Sequence, residues 1–147
     1  MKKLYIIFSL ALVSTSFYAQ TTATKKADKL FNQYKYVAAT EEYLKLVNND
    51  KADGYVYKQL ADSYYNIFNT AEATKWYAKA TETNQDAETY YRYAQMLKGN
   101  GKYTEANAQM KKFASLAPND QRAKTFLENP NYIPQLLDKA KLFDVKI

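Results

Sequence analysis

The sequence predicts an all-α fold, about three helical hairpins stacked in series and followed by capping helices. Three observations carry this. Residues 36–46, 70–80 and 103–113 align with one another, with Ala39, Ala73 and Ala106 at intervals of 34 and then 33 residues. A large residue follows each alanine by four places, at Tyr43, Tyr77 and Met110. A period of this size marks one small helical unit stacked on copies of itself. Ahead of the second and third stretches, Tyr57, Leu60, Ala61, Tyr64 and then Tyr90, Tyr93, Ala94, Leu97 repeat the spacing i, i+3, i+4, i+7 of one buried helix stripe. Only three glycines and three prolines occur in 147 residues, too few for a linker-rich or disordered chain.

The elements follow in order. Residues 1–19 read as a secretory signal outside the fold. Lys2 and Lys3 begin it, Leu4 to Val13 form an apolar run, and cleavage is expected after Ala19. That run is far below the roughly twenty residues that span a bilayer. The first repeat is expected at 21–52, with Ala27, Leu30 and Phe31 on its buried stripe and Lys26 where an apolar residue would fit better. The second, 53–86, should set Ala61 against Ala73, because helices approach closely only where no bulky side chain intervenes. Its turn is Ile67 to Asn69, and Asn69 with Glu72 forms a capping-box pattern. The third, 87–120, should set Ala94 against Ala106. It turns at Gly99–Gly101, where glycine can take positive φ, and ends at Pro118. Residues 121–141 read as capping helices. The first is halted at Glu128–Pro130, the second is opened by Tyr132–Pro134, and the Asn129–Tyr132 stretch between them reads as a turn. Residues 142–147 alternate apolar and polar, as a tail or, the reading the pattern favours, as the start of a following domain.

This arrangement resembles the tetratricopeptide repeat family over residues 21–120. The third unit matches best, with Tyr90, Tyr93, Ala94, Leu97, Gly101, Tyr103, Ala106, Phe113 and Pro118 in signature places. The second has Phe68 and Gln85 where the turn glycine and closing proline belong. The resemblance implies a right-handed superhelix in which the first helix of each repeat lines a concave groove. Carried onto this chain, the groove residues are Asp28, Phe31, Tyr55, Lys58, Asp62, Tyr65, Tyr91, Gln95 and Lys98. A protein or peptide partner is expected there, with aromatic rings as anchors. The variety of this groove that clamps a C-terminal carboxylate is not expected, since Asp28 and Asp62 would repel the ligand.

Composition narrows the function further. The chain has no histidine and no cysteine, which removes the usual general base, thiol nucleophile and zinc ligands. Glu41, Glu42, Glu72, Glu88 and Glu105 are explained as helix-start or surface acids. No phosphate loop, metal spacing or nucleophile elbow is present, so no enzyme, metal or cofactor is expected. Net charge is +6, or +4 without Lys2 and Lys3, and both signs are interleaved. With two arginines and no basic cluster, nucleic acid is not an expected partner. Most of the 15 tyrosines fill packing positions with their hydroxyls expected to reach solvent. Membrane association is expected only through other domains or partners. The resulting expectation is an exported scaffold for protein–protein contact, in the periplasm or at the periplasmic face of the outer membrane. The Ala-Gln signal end, the repeats and the Leu142–Ile147 pattern resemble the front of Bacteroidota OmpA-family proteins, some of which serve type IX secretion or gliding. A free-standing adaptor and an accessory domain of an envelope enzyme are the alternatives.

Overall fold

A computed structural model describes residues 22–142, and all regular structure within them is helical. Both the expected signal, 1–19, and the tail from 143 onward lie outside the described residues. The helices are α1 (22–32), α2 (Tyr36–Asn48), α3 (Gly54–Asn66), α4 (Thr70–Ala80), α5 (Ala87–Gly99), α6 (Tyr103–Leu116), α7 (Gln121–Glu128) and α8 (Tyr132–Leu142). Leu142 thus closes a helix instead of opening the tail.

The alanine spacing has the expected consequence. Ala39, Ala61, Ala73, Ala94 and Ala106 are all fully buried. Among α2 to α8 the most closely packed pairs are α3 with α4 and α5 with α6, and α4 packs in turn on α5. Two apolar cores result. The larger runs from Ala27 through Tyr43, Leu60 and Tyr77 to Met96, while Tyr90, Ala94, Phe113 and Ala123 form the second. Ala123 and Phe126 bring α7 onto that second core, the covering role expected of it.

Every hairpin turns in the same way. Lys35, Asn69 and Lys102 donate their backbone N–H to the carbonyls of Leu30, Tyr64 and Leu97 at 3.0, 3.0 and 2.9 Å. Tyr34, Phe68 and Gly101 donate to the carbonyls of Phe31, Tyr65 and Lys98. This double bond pattern needs a left-handed residue at its centre, and φ there is 59°, 60° and 72°. Only the third position is glycine; Gly99, also expected in the turn, ends α5 instead. Tyr34 and Phe68 therefore carry about 1 kcal/mol or more of backbone strain each.

Caps explain the other boundaries. Asp53, Asp86 and Asp120 accept from the backbone N–H groups of Val56, Thr89 and Arg122 and start α3, α5 and α7. Asn69 caps α4 through the Glu72 N–H, but the reciprocal half of the capping box is missing. The Glu72 carboxylate instead accepts from the Trp76 indole at 2.9 Å. Where the second repeat lacks a closing proline, Gln85 donates its amide to the Ala80 carbonyl at 2.9 Å and ends α4 by capping it.

Two outcomes follow for stability. Ala94→Leu should cost about 1–3 kcal/mol by overpacking the α5–α6 seam, whereas Ala108→Leu on the exposed face should stay within about 0.5 kcal/mol of wild type, both read by urea denaturation. The Asp86 carboxyl is pushed up by burial, but hydrogen bonds from the Thr89 N–H and hydroxyl, helped by Lys58 and Arg92, outweigh this and leave it below its ordinary value. A folded value below the unfolded one means stability present above the unfolded pKa and lost as pH falls through the folded one. Asp86→Ala should therefore cost about 1 kcal/mol near neutrality, and the gap from wild type should close in strong acid.

Candidate functional site

The first helices of the repeats, α1, α3 and α5, are joined by a ladder of polar contacts. Position 28 recurs at 62 and 95, and position 43 at 77 and 110. In the first repeat the Tyr43 hydroxyl donates to Asp28 at 2.6 Å, and Tyr55 of the next repeat donates to the same oxygen at 3.0 Å. In the second, Asp62 accepts from the Tyr77 hydroxyl at 2.5 Å, from Lys58 at 2.7 Å and from Arg92 of the next repeat at 3.1 Å. In the third, Gln95 reaches the Met110 sulfur at only 4.0 Å. Arg122 carries the ladder to α7, bonding Glu88 at 2.8 Å and Asp120 at 2.9 Å while lying 4.1 Å over the Tyr91 ring.

These contacts fix protonation. Burial and the adjacent Asp62 push the Tyr77 hydroxyl far above its ordinary value, so it remains a donor. Burial and Asp28 do the same to Tyr43, and raise Tyr55 to about 12. Burial opposes the charge on Arg92, and the Asp62 carboxylate more than offsets it.

The expected groove residues divide into two groups. Asp28, Tyr55 and Asp62 bond across repeats, Lys58 bonds Asp62 within its own helix, and the Asp62 side chain is only 3% exposed. The premise of two bare, repelling aspartates fails for Asp62, which lies between two cations, while Asp28 bonds two tyrosine hydroxyls and keeps its charge. Nor do the buried tyrosine hydroxyls reach solvent; Tyr43 and Tyr77 are fully covered and point at carboxylates. Phe31 is half-buried against Tyr36, 5.3 Å edge to face. Tyr65 is half-buried beneath Arg92, with 5.2 Å from guanidinium to ring.

Tyr91, Gln95 and Lys98 come together at the far end, along one wall of a cavity of about 650 Å3. Asn107 and Met110 of α6 form another wall. Opposite stand Arg122, Thr125 and Phe126 of α7, with Pro130, Tyr132 and Ile133 beyond. The volume lies within the range of ordinary ligand sites, about 300–1,000 Å3. Sequence reasoning treated 121–141 as a cover and so missed the α7–α8 wall. The signal was present in Phe126 and Ile133, apolar residues that a short cap leaves only half-buried. Among the described residues no cluster of acidic side chains could hold a metal, and no helix is long and apolar enough to cross a membrane.

Solved structures share this arrangement. The second TPR domain of human RPAP3, in complex with the HSP70 peptide SGPTIEEVD, superposes at TM-score 0.64 with 23% identity, over 78% of this chain and 97% of that one. The fold is that of a tetratricopeptide-repeat array. The first TPR of Spaghetti (RPAP3), bound to the HSP90 peptide SRMEEVD, gives 0.65 with 24% identity over 81% and 93%. The Yersinia enterocolitica type III secretion translocator chaperone SycD gives 0.58 with 17% identity over 85% and 93%. At these identities the likeness is one of fold. No protein-family model and no curated protein sequence matches the chain.

The ladder makes a measurable demand. Asp62→Ala should cost about 2–3 kcal/mol in urea denaturation, from lost bonds to a charged group and an orphaned Tyr77 hydroxyl. The loss stays below that of a fully buried pair, because Lys58 and Arg92 are 22% and 30% exposed and can turn to water.

Proposed function

We propose that this tetratricopeptide-repeat protein is a scaffold that holds a peptide segment of another protein at the α5–α8 end of its groove. The observation that carries this reading is the cavity itself. Six of its thirteen lining residues are apolar or aromatic, its exposed surface is mostly apolar, and seven lining residues are polar, among them Gln95, Lys98, Asn107 and Arg122. Lys98 is half-buried and joins no ion pair among the described residues. That combination suits an extended peptide with a bulky apolar anchor and an acidic or carbonyl group beside it. The peptides in the RPAP3 complexes are consistent with this use of the fold, as is the lack of a histidine or cysteine for nucleophilic chemistry.

The setting is also part of the proposal. Residues 1–19 support export, and with it a place in the bacterial envelope. The narrower version, the front module of an OmpA-family protein of the secretion or gliding machinery, rests on the sequence resemblance alone.

Selection from a displayed random-peptide library should enrich sequences with one bulky apolar residue. Amide shift changes on titrating such a peptide should cluster at Tyr91, Gln95, Lys98, Thr125 and Ile133. Lys98→Glu should weaken binding about tenfold, as for loss of one charge-assisted contact. A library that enriches nothing, or shifts confined to the opposite face, would remove the reading.

A further inference from the structure

The three hairpin turns share one geometry, yet only Gly101 uses the residue suited to it. Its α-carbon faces open space. The equivalent Tyr34 and Phe68 hold the same left-handed backbone with large rings attached. Packing accounts for little of those rings: Tyr34 meets Tyr36 edge to face at 6.2 Å yet stays 79% exposed, and Phe68 is 80% exposed. Each residue therefore goes against backbone preference and solvent at once, and both occur on adjacent turns of one edge. Val37 and Ile67 extend the exposed apolar surface. Between the turns lies a shallow depression of about 410 Å3, bordered by Tyr34, Lys35, Val37, Glu41 and Ile67. Protruding rings and a receiving hollow thus lie side by side. The charged rim is one lysine and one glutamate. Lys35 and Glu41 are exposed, and neither joins an ion pair among the described residues.

We propose that this turn edge is a self-association surface, on which a second copy of the chain packs about a two-fold axis. In such an interface residue i meets j while j meets i. Each copy's Phe68 then enters the other's hollow, and each Lys35 meets the other's Glu41. Both charges and both rings find partners. An anionic lipid surface would attract Lys35 but repel Glu41, and a partner of one charge sign would leave one of the two opposed. With some six residues a side against the about 20–30 of a standard interface, the dimer is weak and concentration-dependent. The surface shares no residue with the cavity between α5 and α8, so it stands or falls apart from the peptide reading.

Sedimentation equilibrium of the purified protein, from micromolar to millimolar, tests this. The expected result is a reversible dimer. Tyr34→Gly and Phe68→Gly should each weaken it about tenfold or more. Their thermal midpoints should hold or rise, because glycine relieves the left-handed backbone. Glu41→Lys should also weaken the dimer, and the double exchange Lys35→Glu with Glu41→Lys should restore it. A monomer at every concentration, or glycine variants that associate as well as wild type, would overturn the proposal. So would a monomer that binds phosphatidylglycerol vesicles more tightly after Glu41→Lys, which would give the edge to lipid.

Discussion

The stacking of this array depends on carboxylates held between successive repeats. An alanine seam lets two helices approach, but it does not fix how the next hairpin sits on the last. That is set by Asp28 and Asp62. Each binds a tyrosine of its own second helix and a donor from the following repeat, Tyr55 in one case and Arg92 in the other. A buried carboxylate is costly unless both its oxygens are hydrogen-bonded and its charge is paired. Asp62 meets that condition with three donors, so sliding one hairpin along its neighbour would strand a charge as well as lose apolar contact. Non-directional burial is thereby supplemented with a directional term.

The ladder changes character in the third repeat, and the cavity opens where it does. Position 95 is glutamine and position 110 methionine, joined only by a weak contact to sulfur. No arginine or tyrosine from α7 reaches position 95. The link to α7 comes two helical turns earlier, through Arg122 to Glu88. α7 is thus held by Arg122 at its N-terminal end and by Ala123 and Phe126 on the second core, and Thr125 and Phe126 line the cavity together with Gln95 and Lys98. A groove uniform along its length would read one feature everywhere; this one has, at its α5–α8 end, a cavity beside a lysine that joins no ion pair among the described residues.

Much of the architecture was legible because it rests on periodic volume. Ala61, Ala73, Ala94 and Ala106 betray the seams, since small residues at fixed spacing have few other causes. Pro118 and the Asn-Pro turn betray their boundaries through backbone constraint. The site was less legible. Aspartate on the first helix of a repeat reads as a surface acid, and nothing local shows that a tyrosine 15 residues on will bury its hydroxyl against it. The α7–α8 wall was hidden for a similar reason, since its lining depends on how far α7 swings from α5 and not on any motif. Phe68 in place of glycine was visible, but only the backbone shows that the turn keeps its left-handed form despite the ring.

The exclusion of a carboxylate-clamping groove also takes a different physical form. Charge alone no longer argues against an anionic ligand near α3, because Lys58 and Arg92 outnumber Asp62 there. What opposes it is competition. Both cations already bond Asp62, whose side chain lies too deep to be rescued by water. A ligand carboxylate that drew them away would leave a buried anion with only Tyr77 as donor, and would have to repay that desolvation cost from its own contacts. At the α5–α8 end that cost is absent, since position 95 is neutral and Lys98 joins no ion pair among the described residues. An acidic group on a peptide is thus favoured beside Lys98 and disfavoured beside Lys58, although both lysines lie on first helices of their repeats.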